Sequence, residues 1–153
     1  MIKVSIAVLF SVSMFAQAPV ANAALPGNWV GTGATYSSAA HPRIGAWVSL
    51  AILANRQTGI YSYSSYDILP RAGKVPTTAA RTGVALLLRQ VGPVYVLGLG
   101  TAGASTSATA TTGSFSGGGA AVYRFKTSWS VLLEAQVVNQ TGKTVRLGFG
   151  REW

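Results

Sequence analysis

The side chains able to do chemistry are few and scattered. His41 is the only histidine, and Asp67, Glu134 and Glu152 are the only acids. His41, Asp67 and Ser65, with Ser37, Ser38 and Ser64 nearby in the chain, form the one available combination of base, acid and hydroxyl nucleophile. That combination serves acyl transfer or deacylation, but no His-x-Ser or Asp-Ser pair joins these residues. A lone histidine with three dispersed carboxylates predicts no metal site. Cysteine is absent, which excludes thiol chemistry and disulfides. Gly117-Gly118-Gly119 lacks the Lys-Ser/Thr and following helix of a phosphate loop, and no cofactor is expected.

The second set of candidates lies inside alternating segments. From Trp129 to Val137, the residues Trp129, Val131, Leu133, Ala135 and Val137 alternate with Ser130, Leu132, Glu134 and Gln136. A period of two places these sets on opposite faces of a strand, with Glu134 on the polar one. The last ten residues repeat the pattern: Val145, Leu147, Phe149, Arg151 and Trp153 oppose Thr144, Arg146, Gly148, Gly150 and Glu152. The expected inward charges are Arg89, Arg124, Glu134, Arg146 and Glu152. Short reversals predict Glu134 opposite Gly118 and Gly150, where an arginine has room to fold in and pair with it. A charge in a narrow lumen needs such a partner. A polar conduit or ligand contact is the alternative use of the same residues.

Eight strand-like segments position these side chains: Asn28–Ser37, Arg43–Ala54, Ile60–Leu69, Arg81–Val91, Val94–Gly103, Gly113–Phe125, Ser128–Gln140 and Thr144–Trp153. In the second, Ile44, Ala46, Val48, Leu50 and Ile52 face away from Gly45, Trp47, Ser49 and Ala51. The phase change from Tyr61 and Tyr63 to Tyr66 and Ile68 predicts a bulge near Ser64-Ser65. In the fifth, Tyr95, Leu97 and Leu99 are expected outward, with Val96, Gly98 and Gly100 inward. Pro70–Ala80 and Ala104–Thr112 read as long exposed loops. Asn55–Gly59, Gly92-Pro93 and Lys126-Thr127 read as short turns.

Lys3, the uncharged apolar run from Val4 to Phe15 and the small-residue site Ala21-Asn22-Ala23 predict a signal peptide over residues 1–23. One domain is then expected over 24–153. Without Lys3, eleven of the twelve basic residues face three acids, a formal charge of +8. Half the chain is hydrophobic, at 49%, yet no later run approaches the roughly 20 apolar residues of a membrane helix. Apolar character spread over segments of about ten residues is what membrane-crossing strands require. Arg and Lys are dispersed and form no basic patch for nucleic acid.

The closing strand resembles the assembly signal of Gram-negative outer-membrane barrels: Arg146 is its polar residue, Gly148 follows two later, and Trp153 supplies the terminal aromatic. Arg151 departs from that signal at the third-last place. With the even strand count, the chain resembles the small OmpA/OmpX/OmpW-like class. The resemblance implies an all-β, eight-stranded antiparallel up-and-down transmembrane barrel in the outer membrane, assembled by the barrel-assembly machinery. Trp129, Val131, Leu133, Phe149 and Trp153 are then expected against lipid. Arg43, Arg71, Lys74, Arg81 and Lys143 are expected at the outer side, near lipopolysaccharide phosphates. The role implied is a non-enzymatic surface or lipid-binding protein. Alternatives are a lipid-A modifying enzyme using His41, Asp67 and Ser65, a narrow porin-like pore, and a soluble secreted barrel.

Overall fold

The computed structural model describes residues 25–38, 42–139 and 142–153. The signal-peptide segment and His41 lie outside them. Eight antiparallel strands run β1 (Trp29–Ser37), β2 (Arg43–Asn55), β3 (Ile60–Arg71), β4 (Lys74–Val91), β5 (Val94–Thr106), β6 (Thr111–Lys126), β7 (Trp129–Val138) and β8 (Gly142–Glu152). Each pairs with its sequence neighbour, and β8 pairs with β1 from Trp29↔Glu152 to Ser37↔Thr144, closing the barrel. Closure leaves no unpaired sheet edge. Leu25, Trp153 and the turns at Arg56–Gly59, Gly92-Pro93 and Thr127-Ser128 occupy one end, here the terminal end. The other connections form the far end.

The faces of β2, β6, β7 and β8 follow the alternation of their sequences, but β5 does not. Tyr95, Leu97 and Leu99 point inward, and Val96 and Gly100 are exposed outside, the reverse of the expected arrangement. The terminal half of the lumen explains the difference. Trp29, Tyr61, Leu87, Leu97 and Leu132 pack there as a single apolar cluster, so bulky β5 side chains fill space that glycines would leave empty. Small barrels are filled by side chains in this way. Leu25 packs against the same cluster, and the Tyr61 hydroxyl donates to the Pro26 carbonyl at 2.8 Å. The segment preceding β1 therefore seals the terminal end.

No bulge occurs at Ser64-Ser65, where pairing to Leu50 and Ser49 on one side and Thr82 and Arg81 on the other is regular. Strict alternation sends Tyr61, Tyr63, Ser65 and Asp67 inward and Tyr66 and Ile68 outward. The inner tyrosines face a lumen that supplies hydrogen-bond acceptors, so no change of phase is needed. The two expected long loops are also largely strand. β3 and β4 pair up to Arg71↔Lys74 around Ala72-Gly73, where Gly73 has φ +63°. Pro70 and Pro76 fall in the register shift between Leu69 and Arg71, where a missing N–H breaks no regular ladder bond. β5 and β6 pair up to Thr106↔Thr111, leaving only Ser107–Ala110 unpaired. Threonine suits a pleated strand whatever the compositional bias around it.

At the seam, Gly33 of β1 lies opposite Gly148 of β8. A Cβ on Gly148 would sit 2.1 Å from the Thr32 carbonyl oxygen, and one on Gly33 would sit 2.2 Å from that of Leu147. The closing strands approach too closely for any side chain there. Gly148→Ala is therefore expected to lower stability by about 1–3 kcal/mol through overpacking. Gly100→Ala, whose added methyl meets nothing within 4 Å, is expected to change it by less than about 0.5 kcal/mol. Urea titration in detergent micelles, read by the gel mobility of unheated protein, checks the pair. Equal midpoints would contradict this account of closure.

Candidate functional site: a charged lumen beneath an outer cavity

The far half of the lumen is polar, and three strands meet there around one guanidinium. Arg146 of β8 donates through Nε to Asp67 Oδ1 at 2.9 Å and through Nη2 to Asp67 Oδ2 at 2.5 Å. Its Nη1 donates to Glu134 Oε2 at 2.9 Å, and Nη2 reaches Ser65 Oγ at 3.3 Å. The Tyr63 hydroxyl donates to the same Glu134 oxygen at 2.7 Å. Arg81 Nη1 donates to Asp67 Oδ2 at 2.9 Å. The Trp47 ring lies 5.8 Å from the Arg146 guanidinium carbon. Arg146 and Glu134 are each 1% exposed, Asp67 2% and Arg81 6%. Two acids and two arginines thus form a neutral buried cluster. Desolvation is tolerable because the planar Arg146 fork holds one carboxylate bidentately and another end-on.

A second pair lies near the terminal end, where Arg124 donates to both carboxylate oxygens of Glu152 and stands 5.1 Å from the centre of the Tyr95 ring. Every acid of the described residues is therefore neutralised inside the barrel.

These positions correct several expectations. Glu134 lies opposite Ala120 and Arg146, not Gly118 and Gly150, because the register of β6 with β7 pairs Gly118 with Gln136. Arg89 is not a lumen charge. A register shift between Leu87 and Arg89 sets it opposite Val96 on the outer face, where it is exposed. Arg81, expected at the outer surface, is buried in the lumen against Asp67. Asp67 and Ser65 face the lumen too, with both Asp67 oxygens engaged by arginines. Tyr63 and Arg81 escaped sequence reasoning. The parity of Asp67 within Tyr61-Ser-Tyr63-Ser-Ser65-Tyr-Asp67 was the available signal, since a charge forced inward carries both tyrosines with it. Trp129, Leu133, Phe149 and Trp153 are exposed on the outside, and Val131 lies partly exposed on the same face.

Above the cluster opens a cavity of about 140 Å³, lined by Thr35, Ser37, Arg43, Asp67, Thr77 and Arg81 among others. Arg43 Nη1 donates to Thr77 Oγ1 at 2.8 Å. The cluster forms its floor, and the far end of the barrel is its mouth.

Removal of Arg146 strands two carboxylates beside a single remaining cation. Arg146→Met is expected to cost about 3–5 kcal/mol, as for other broken buried ion pairs. Adding Glu134→Gln is expected to restore part of that loss, because Arg81 and Asp67 remain as a balanced pair. Urea midpoints in micelles should rank wild type above the double variant and the double above the single. A double variant no more stable than the single would refute the charge-balance account.

No family model matches the sequence, and no curated protein gives a significant match. The fold is similar to that of the Yersinia pestis outer membrane protein Ail in a phospholipid bilayer nanodisc, with a TM-score of 0.56 at 12% identity. That comparison covers 84% of this chain and 99% of the other. The crystal structure of Ail, the attachment invasion locus protein of the same organism, gives 0.53 at 11% identity over the same shares. At such identities the likeness is one of architecture: the chain is a small, closed, eight-stranded antiparallel β-barrel with the fold of Ail.

Proposed function

We propose that this chain is an integral outer-membrane protein, non-enzymatic, with a plugged lumen and a far end that meets lipid phosphates or an external partner. One observation carries the reading: polarity is inverted relative to a soluble protein. The charged clusters are inside, while Ile44, Val84, Leu133, Leu147 and Phe149 are between 49% and 73% exposed outside. Water would penalise an apolar exterior of that extent, whereas a bilayer requires it. Tyr123, Phe125, Trp129 and Trp153 ring the outside near the terminal end, and Tyr36, Tyr66 and Phe115 lie nearer the far end. Aromatic girdles at both interfaces are expected of membrane barrels.

The basic charge supports the same placement. Three arginines are consumed by ion pairs in the lumen. The remaining cations divide into Arg43, Arg71, Lys74 and Lys143 at the far end and Arg56, Arg89, Lys126 and Arg151 at the terminal end. None of these makes an ion pair among the described residues. Two cationic rims around an apolar band suit two layers of lipid phosphate. Trp153, exposed just beyond the end of β8, remains available as part of the proposed assembly signal with Arg146 and Gly148. An acyl-transfer role gains no support from Asp67 and Ser65, which face away from the lipid surface. A pore gains none from the packed lumen.

Exported protein is expected to fractionate with outer membranes, to migrate faster unheated than boiled, and to give no steady conductance in planar bilayers. Lipid A from cells with and without it should carry the same acyl chains in mass spectra. Recovery as a soluble periplasmic or secreted protein would overturn the membrane reading, and acyl changes abolished by His41→Ala would overturn the non-enzymatic one.

A further inference from the structure

We propose that the outer cavity is a binding site for a tetrahedral oxyanion, a phosphate monoester or free phosphate, held between Arg43 and Arg81. The inference needs only the closed barrel and goes beyond membrane placement. Four observations carry it. First, the described charges in and beneath the cavity do not cancel: Arg43, Arg81 and Arg146 face only Asp67 and Glu134, which leaves one excess positive charge. Arg43 supplies it, since it donates to the neutral Thr77 hydroxyl and meets no carboxylate among the described residues.

Second, the lining has unused polar atoms. Arg81 is 6% exposed and Thr35 1%, yet Arg81 Nε and Thr35 Oγ1 have no hydrogen-bond partner within the protein. A buried guanidinium N–H without an acceptor is costly; Arg81 Nε has under 1 Å² of accessible surface, so a small turn of the side chain toward the cavity brings it to an anion oxygen and a charge-assisted bond. Third, the one carboxylate in the lining does not repel an anion at full strength, because three arginine N–H groups already engage the Asp67 oxygens. Fourth, a volume of about 140 Å³ is roughly ten times the minimum needed to hold one water by the same measure, enough for a phosphate group with part of its hydration. The Arg146 cluster closes the floor, so the site is a dead end and takes a terminal group, not a passing ion.

The test uses the purified full-length protein in amine-oxide micelles, which contain no phosphate, with the arginine Nε–Hε resonances followed by NMR. The probes are inorganic phosphate, bisphosphorylated lipid A and dephosphorylated lipid A. The expected result is a saturable shift of the Arg81 Nε–Hε signal with a phosphate-bearing probe and none with dephosphorylated lipid A. Response to inorganic phosphate identifies a free anion as sufficient, and response to lipid A alone identifies a lipid headgroup. Arg43→Gln should weaken binding about tenfold, the loss of one charge-assisted contact. Lys143→Gln, at the same end but outside the cavity lining, should leave it unchanged. Thr35→Val, nearly isosteric, should weaken binding while keeping the gel mobility of the folded barrel. Absence of a saturable shift with every phosphate probe would overturn the proposal. Equal weakening by Arg43→Gln and Lys143→Gln would also overturn it, since that result means diffuse attraction to a basic rim.

Discussion

A guanidinium buried in a lumen too narrow to hydrate it must find acceptors for its donors, and the rest of this structure depends on how Arg146 meets that requirement. Glu134 is its direct cross-strand neighbour on β7, while Asp67 comes from β3, three strands away around the wall, so the Asp67 contact crosses the lumen and ties distant parts of the barrel. Because successive strand residues face opposite ways, holding Arg146, Glu134 and Asp67 inside commits Leu147, Leu133 and Ile68 to the outside. The cluster therefore orders the exterior as well as the interior. It is also a device of specificity more than of raw stability. Ion pairs in low dielectric recover little net energy, but a broken one is costly, so registers that misplace any of the three strands are strongly disfavoured.

Charge is sorted by position. The three acids are neutralised within the lumen, and the uncompensated cations stand at the two rims, separated by an apolar band. This division gives the basic composition a definite place: positive charge stands at the two rims and the apolar band between them is free of charge. The same division leaves Arg43 in excess at the mouth of the cavity, where the lumen cluster has no carboxylate to spare for it.

The lumen itself has two halves. Toward the terminal end it is packed with aromatic and aliphatic side chains and stoppered by Leu25 and Pro26. Toward the far end it is polar and opens into a cavity. An eight-stranded barrel has room for one such cavity above a full core, and its lining comes from β1 to β5 and from β8. Access is from one side only, so this architecture favours capture of a group presented at the far end and disfavours passage through the barrel.

The number of strands, their antiparallel order and the faces of β2, β6, β7 and β8 are legible along the chain. In each of these a polar or charged residue keeps strict alternation with apolar neighbours, and that signal is local. It also placed Glu134, Arg146, Arg124 and Glu152 on inward positions, though not their pairings. The orientation of β5, where both faces are apolar, comes from packing: a narrow lumen needs bulk as much as an apolar exterior does, and no residue from Val94 to Gly100 distinguishes the two. Only the tertiary structure moved Arg89 outside, because a register shift inverts parity and depends on the partner strand. Pairing likewise turned Pro70–Ala80 and Ala104–Thr112 into strand, since hydrogen bonds from a neighbour outweigh the local signs of a loop. The Asp67–Arg146–Glu134 cluster and the cavity above it arise from closure, which joins Asp67 to Arg146 across 79 positions, a proximity that no spacing along the chain encodes.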